Sequence, residues 1–435
     1  LSTDDASSGP PPAAFTGRRR NLKTPRSVRL AELVARVAVH AGGFGAIAAV
    51  LVVCGVLVAA VLPLFRGAEI SAEGLAAAPA AEAPLHFAVD EYRALAVTVS
   101  RTGALDVFRL DDGARLESRA LFEGPAPVSA STGLRDGRLG FGFADGSLRF
   151  CDVTFEAELA DPATLPPALA ALPKGGRGTD GASVVVHLGD DTWRRTKVKV
   201  ALEEPLVGAN RAAPVLFDEA LSPSKRALLV HRADGSLTFN VVRERTNLVT
   251  GAVRRTLEES AIAYRAPAGA GAPFRMALAG LGDGAVLLWR DGRCLRYDLR
   301  EPSSASVAES LDLVPDAGDE LTDASLLIGG TTLVVSTKLG RSSAWFRTKP
   351  PGASTSDGAV LREAHVLAAH AAAVTASSRS ARSRLYATGH ADGAVRIHHV
   401  TSNALAAEAR VPDGGPVLAL RLAPKNDAVV ALTRS

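Results

Sequence analysis

The sequence predicts an all-β fold, a β-propeller of seven or eight blades preceded by one N-terminal transmembrane α-helix. Three observations carry this. Residues 37–65 hold no Lys, Arg, Asp or Glu. From residue 84 onward, short β-type runs flank a glycine turn at recurring distances. The three cysteines, at 54, 151 and 294, fit no disulfide framework that would point to a small stapled fold.

The apolar stretch comes first. Its centre reads GGFGAIAAVLVVCGVLVAAVLPL, residues 42–64. About 20 apolar residues, rising about 1.5 Å each, cross a hydrocarbon core of about 30 Å. A helix bonds every backbone amide within the segment, as lipid demands. Pro63 stands at the far end, where a helix can stop. Residues 1–36 carry seven basic side chains (Arg18, Arg19, Arg20, Lys23, Arg26, Arg29, Arg36) against Asp4, Asp5 and Glu32, hence 7 − 3 = +4. Beyond the span, Arg66 is met by Glu69 and Glu73. The positive-inside rule then places the N-terminus in the cytoplasm and the remainder across a membrane. A cleaved signal peptide would have an apolar region of about 7–15 residues, about half this length.

Composition narrows the rest. The chain of 435 residues is 47 % apolar and 5 % aromatic, with a net charge of +3. Removing the tail's +4 leaves −1, which offers nothing to a polyanion, so no nucleic-acid partner is expected. Residues 1–36 read as a basic, largely disordered cytoplasmic tail, 37–65 as the transmembrane helix, and 66–83, rich in Ala, Glu and Pro, as a linker. Residues 84–435 read as a periplasmic propeller. Val417–Leu422 and residues 428–433 resemble two opening strands of another unit, so the propeller is expected to be truncated at its C-terminal end.

The repeat consists of β-hairpins. Turns are expected at Gly103, Gly146, Gly235, Gly284, Gly340 and Gly393, at intervals of 43, 89, 49, 56 and 53 residues, with a degenerate hairpin at Gly189 inside the longest gap. Asp-Gly and similar pairs supply the positive φ of a tight turn, and the flanks alternate apolar with polar. One hairpin cannot bury its own apolar face. A period of about 40–55 residues, each about four strands, is the mark of a propeller.

The unit at residues 365–400 resembles a WD40-type repeat. His370 lies near the place of that family's Gly-His pair, and Leu385-Tyr386-Ala387-Thr388-Gly389 and Ala391-Asp392-Gly393 match its second strand and turn. His398-His399 replaces the Trp-Asp pair. The propeller is therefore WD40-like.

Catalytic motifs are absent. Lys174-Gly175-Gly176-Arg177-Gly178 lacks the ending and context of a phosphate-binding loop and reads as a plain loop. Neither a Gly-x-Ser-x-Gly elbow nor an HExxH helix occurs. His365, His370, His390, His398 and His399 crowd 35 residues, but adjacent strand residues point to opposite faces, which disfavours convergence on zinc. Asp111-Asp112 and Asp190-Asp191 read as turn residues. Trp193, Trp289 and Trp345 read as packing residues, and Cys151 and Cys294 as small core residues. No catalytic residue, cofactor or metal ligand is expected, and the chain reads as no enzyme.

Four features together resemble the N-terminal part of the large-form permease subunit of bacterial phosphate ABC transporters, the PstC-like kind. They are the tail RRRNLKTPRSVRLAELVARV, an anchor ending Val61-Leu62-Pro63-Leu64-Phe65-Arg66-Gly67-Ala68, a propeller directly after it, and Leu422-Ala423-Pro424-Lys425-Asn426-Asp427. The resemblance implies an inner-membrane protein whose transport helices follow the propeller. Its implied partners are a transporter ATPase subunit, a partner permease subunit and a periplasmic phosphate-binding protein. Two alternatives stay open: a single-span anchored propeller scaffold of the cell envelope, and a propeller hydrolase or lactonase with a central metal.

Overall fold

In the computed structural model, residues 25–62 and 83–433 are described, apart from 134, 224, 247–249, 252 and 413. The expected tail up to residue 24, Pro63, and the linker up to residue 82 lie outside them. The chain divides into two compact units, residues 1–67 and 68–435.

In the first unit, α1 spans Arg26–Val61. It starts 11 residues earlier than the charge-free stretch. Pro25 caps it, RSVRLAELVARV has good helix formers, and Arg36 pairs with Glu32 one turn away at 3.9 Å. Its 36 residues rise about 54 Å, longer than a hydrocarbon core of about 30 Å, and its charged residues lie in its first third. Its best window has a mean hydropathy of 2.8, and none of it is buried.

The second unit is a ring of seven antiparallel sheets. Blade 1 holds β1 (His86–Val89), β2 (Leu95–Val99), β3 (Ala104–Arg109) and β4 (Arg115–Ala120). Blade 2 holds β5 (Ser129–Thr132), β6 (Arg138–Gly142), β7 (Leu148–Ala160), a helical turn α2 (Pro167–Ala170), β8 (Arg177–Asp180), β9 (Ser183–Gly189) and β10 (Thr192–Leu202). Blade 3 comprises β11 (Pro214–Leu221), β12 (Arg226–Arg232), β13 (Leu237–Thr246) and β14 (Val253–Ile262). In blade 4 are β15 (Arg275–Leu278), β16 (Gly284–Leu288), β17 (Arg293–Asp298) and β18 (Ser306–Asp312). Blade 5 has β19 (Leu321–Leu326), β20 (Thr332–Thr337), β21 (Ser342–Thr348) and β22 (Val360–Val366). Blade 6 has β23 (Val374–Arg379), β24 (Leu385–His390), β25 (Ala394–His399) and β26 (Ala404–Arg410), and blade 7 has β27 (Val417–Leu422) and β28 (Val429–Thr433).

Each blade pairs its strands in chain order, except blade 2, whose order is β5-β6-β7-β10-β9-β8. The hairpin at Gly189 is therefore not a blade. β10 pairs along β7 from Leu202↔Cys151 to Trp193↔Ala160 and takes the fourth place, and β9 and β8 extend the sheet outward. The gap of 89 residues is one blade with an insertion, and the described residues form seven blades. A second correction falls on blade 4. Gly284 opens β16 instead of turning, and the turn equivalent to the others is at Gly292, φ 94°. The other expected turn glycines, at 103, 146, 189, 235, 340 and 393, all have positive φ.

Seven apolar clusters wedge the blades together and close the ring. Val97 and Leu105 meet Phe141 between blades 1 and 2. Phe150 meets Phe217 edge-on, centroids 6.1 Å apart, between blades 2 and 3. Phe239 joins Trp289 and Tyr297, Cys294 joins Leu333, and Val334 joins Tyr386, taking the ring to blade 6. Ala387 and Val395 meet Leu420 of blade 7. Finally Val89, Ala96 and Phe108 of blade 1 pack on Ala423 and Val430 of blade 7. Middle strands are covered on both faces, so β12 and β20 are buried almost throughout, their polar residues included, and each carries a central apolar run, residues 227–230 and 333–335, instead of alternating.

Candidate functional site

The innermost strands bring polar side chains to the axis. His86 comes from β1, Asp218 from β11, Arg275 from β15, Asp323 from β19, Ser377 and Arg379 from β23, and Arg421 from β27. Asp136 comes from the turn before β6. Three arginines thus face three aspartates. Asp323 takes a charged hydrogen bond from Arg275 and another from the Ser377 hydroxyl. Burial would raise the Asp323 pKa, but these partners hold it below the ordinary carboxylate range.

Two bonds cross the axis at the seam. Arg421 of blade 7 donates to Asp136 of blade 2, and Arg379 of blade 6 donates to the Gly133 carbonyl at 2.7 Å. Both skip blade 1. Between them sits His86, 7 % exposed, whose Nε2 has no hydrogen-bond partner among the described residues. Burial first, then the Arg421 charge, pushes its pKa down to about 4, so the ring is neutral at pH 7.

Asp218 is the other unusual group. It is 6 % exposed and accepts from the Leu278 N–H at 2.7 Å and the Glu219 N–H at 2.9 Å. Burial pushes its pKa up to about 7 against those bonds. Beside it lies an ionic knot of blades 2 and 3. Arg138, its side chain 2 % exposed, bonds Glu219 at 2.7 Å and Glu203 at 2.8 Å, and Arg226 bonds the same two carboxylates at 2.7 and 2.8 Å. The Arg138 guanidinium also sits 4.9 Å from the Phe150 ring centre. The crevice lined by Ser131, Arg138, Phe217 and Asp218 is too narrow for a water molecule.

This arrangement is charge-balanced. The carboxylates of Asp136, Asp218 and Asp323 are occupied by protein donors. Among the described residues no three His, Cys, Asp or Glu side chains converge on a metal position. Three of the five crowded histidines lie together without a carboxylate or thiol completing a metal position: the His370 and His390 rings meet edge-on, centres 4.5 Å apart, and His390 and His398 both approach Thr388 Oγ1, at 3.0 and 3.4 Å. His370 Nε2 bonds Asp392 at 3.0 Å, and Asp392 also takes Arg410 at 3.0 Å. His398, 2 % exposed, approaches Thr388 Oγ1 at 3.4 Å, His399 bonds the Ser402 hydroxyl at 2.9 Å, and His365 lies edge-on to Phe346.

The remaining sequence candidates are structural. Asp111 and Asp112 both grip Arg109, and Asp190 and Asp191 form a turn at positive φ. Trp193 stacks on His187, ring centres 4.3 Å apart, and donates to Leu169 O, while Trp289 donates to Gly271 O and half-buried Trp345 to Ser343 Oγ. Cys151 and Cys294 are fully buried free thiols. The glycine-rich loop at 174–178 leads into β8. Leu422-Ala423-Pro424-Lys425-Asn426-Asp427 is the turn joining β27 and β28, with Asn426 at φ 59°. Sequence reading missed the axial charges and the knot. Their one signal was a charge inside an apolar run, as in VLFDEAL around Asp218 and Glu219.

No family model matches the chain. No curated protein matches it either. Among solved structures it is similar to the β-propeller domain of Cps50 (Swd1) from Myceliophteria thermophila, at 10 % identity over 81 % of this chain and 94 % of that one, TM-score 0.47. The computationally designed Ika8 protein shares 15 % identity over 84 % and 97 %, TM-score 0.46. Raptor from Chaetomium thermophilum shares 12 % over 83 % of this chain and 28 % of that one, TM-score 0.47. At such identities and TM-scores these likenesses carry no functional argument. The propeller rests on its sheet order and its closed ring of clusters.

Proposed function

We propose that this protein is a membrane-tethered, non-catalytic propeller that docks other proteins. In this reading the N-terminus is cytoplasmic and the propeller periplasmic at a bacterial inner membrane. The observation that carries it is α1, a 36-residue helix with a window of mean hydropathy 2.8 and no buried residue, in a chain whose second compact unit is a blade ring. The self-paired axial charges support a non-catalytic role, because a working acid or base must be left for its substrate. Broad loop faces suit protein contact. The test is alkaline carbonate extraction with protease protection in sealed inner-membrane vesicles. The full chain should stay with the membrane, and its propeller should be cut only from the periplasmic side. Release by carbonate, or cleavage from the cytoplasmic side, overturns the reading.

Within this reading the finer assignment is the phosphate ABC transporter permease, with an ATPase subunit, a partner permease and a phosphate-binding protein as partners. What favours it is the order of basic segment, single apolar helix and propeller. Deleting residues 84–435 should then lower phosphate uptake and lose the binding protein in pull-downs. Unchanged uptake with retained membrane attachment favours the envelope scaffold instead. A stoichiometric divalent ion in the purified protein would support the propeller hydrolase.

A further inference from the structure

The innermost strands can be aligned by the bond that closes each one onto its second strand. One such N–H to carbonyl bond occurs per blade, from Asp90 in blade 1 to Ala423 in blade 7, at 2.8 to 3.1 Å. Four residues before each donor stand His86, Ser129, Asp218, Arg275 and Asp323 in blades 1 to 5. Blades 6 and 7 have only Ala376 and Ala419 at that level. Longer side chains from positions nearer the turn make up for them. Arg379 of blade 6 feels the charges of Asp218, Arg421 and Arg275, and Arg421 of blade 7 faces His86. Three guanidinium groups thus meet around one tier of the ring.

Two of the three have a carboxylate of their own, Arg275 with Asp323 and Arg421 with Asp136. The third acid is Asp218, and both of its oxygens accept from backbone N–H groups. With Asp218 ionised the tier is neutral, and with Asp218 protonated it carries one net positive charge. A buried charge without a counter-charge is costly. Two nitrogens also lack acceptors among the described residues. Arg275 Nε can only donate, and His86 Nε2 donates in its N–H tautomer, on a ring 7 % exposed. The side chains of Arg275 and Arg421 keep 38 % and 17 % exposure, which on innermost strands opens toward the axis.

We propose that this tier binds one small inorganic anion of single charge on the propeller axis, held by Arg275, Arg379, Arg421 and His86 Nε2. A water molecule would satisfy the two donors but not the charge. The site goes beyond the docking reading and stands independently of it.

The test uses the full chain in lipid nanodiscs, with chloride as the probe in a gluconate background. Chloride NMR line broadening should saturate at one ion per chain, with about millimolar affinity or better at pH 6. From pH 6 to pH 8 the protonated share of Asp218, whose pKa burial lifts to about 7, falls from about nine-tenths to about one-tenth. Affinity should therefore drop about tenfold. The other groups facing the tier keep their charge across that window. Burial and the Arg421 charge push His86 down to about 4, and burial lifts Tyr386 to about 12. Against burial, Arg421 and Arg275 hold Asp136 and Asp323 low, while Glu219 stays bonded to Arg138 and Arg226. Asp218→Asn fixes the positive charge, so chloride should bind as tightly at pH 8 as at pH 6. Arg379→Gln removes that charge and should weaken binding at least about tenfold. Displacement of chloride by nitrate or inorganic phosphate supports the site and ranks its ligands. The proposal falls if broadening matches that of empty nanodiscs, if it survives Arg379→Gln, or if Asp218→Asn keeps the pH dependence. Should either variant not fold, the unaltered protein decides, and a flat affinity from pH 6 to pH 8 overturns the proposal. Partner pull-down lost with chloride binding intact strikes the docking reading alone, and the reverse strikes the anion site alone.

Discussion

At residue 218 a carboxylate with 6 % exposure is held by two backbone N–H groups, and burial still lifts its pKa from 3.8 to about 7. An acid raised on folding binds more protons in the folded state between those two values. Its contribution therefore falls as pH rises from about 4 to about 7 and is level above. Asp218→Asn removes that dependence. Its urea midpoint should lie furthest below the native protein's near pH 4 and approach or pass it by pH 7.5, and a constant gap would refute the assignment. Arg138 behaves differently, since its charge is compensated on three sides. Arg138→Leu leaves Glu219, in a site 4 % exposed, to Arg226 alone and should cost about 1–3 kcal/mol in urea unfolding. Neither role was legible in the sequence. An Asp or Arg beside a strand pattern looks the same whether it meets solvent or a partner 81 residues away.

At the scale of elements, the turns were legible because positive φ selects glycine, and six of the expected turn glycines have it. The errors arose where two glycines compete or where a hairpin is inserted. LGDGAVLLWRDG offers two turns, and periodicity alone chose Gly284 over Gly292. The structure gives an exacting test. A Cβ at Gly292 would sit 2.7 Å from Val314 Cβ, with φ at 94°, whereas Gly284 meets nothing nearer than 3.3 Å. Gly292→Ala should lose about 1–3 kcal/mol and Gly284→Ala well under about 1 kcal/mol. Comparable losses in thermal unfolding would return the turn to Gly284. The Gly189 hairpin misled for another reason: locally it is a proper hairpin, and only its pairing along β7 shows that it widens a blade. The apolar helix was legible in its span but not in its start, because the basic residues ahead of it form helix as readily as the apolar ones.

For the whole molecule, closure is the decisive event, because blade 7 must meet blade 1 across the largest separation in the chain. The cluster of Val89, Phe108, Ala423 and Val430 supplies apolar area there, and the Arg421 bond to Asp136 adds a strap across the axis. Further straps run over the turns: Glu91 of blade 1 pairs with Lys425 at 3.7 Å, and the Tyr92 ring lies between the Arg194 and Lys425 cations at 3.6 and 4.7 Å. Arg421→Ala should cost about 1–3 kcal/mol and quicken hydrogen exchange in β27 and β28 before any other strand. Uniform quickening in all blades would mean that the strap is no local latch.

The packing of the thiols has a practical outcome. Cys151 and Cys294 are at 0 % exposure inside blades 2 and 4, and burial pushes the Cys151 pKa up to about 12, so neither offers a thiolate to a reagent. Cys54, on the uncovered surface of α1, is the chain's only other sulfhydryl. The unmodified protein is therefore its own singly addressable probe. An apolar maleimide or a nitroxide label will mark one position, inside the apolar helix, and its quenching by lipid-borne quenchers will report whether that helix enters a bilayer without a single substitution.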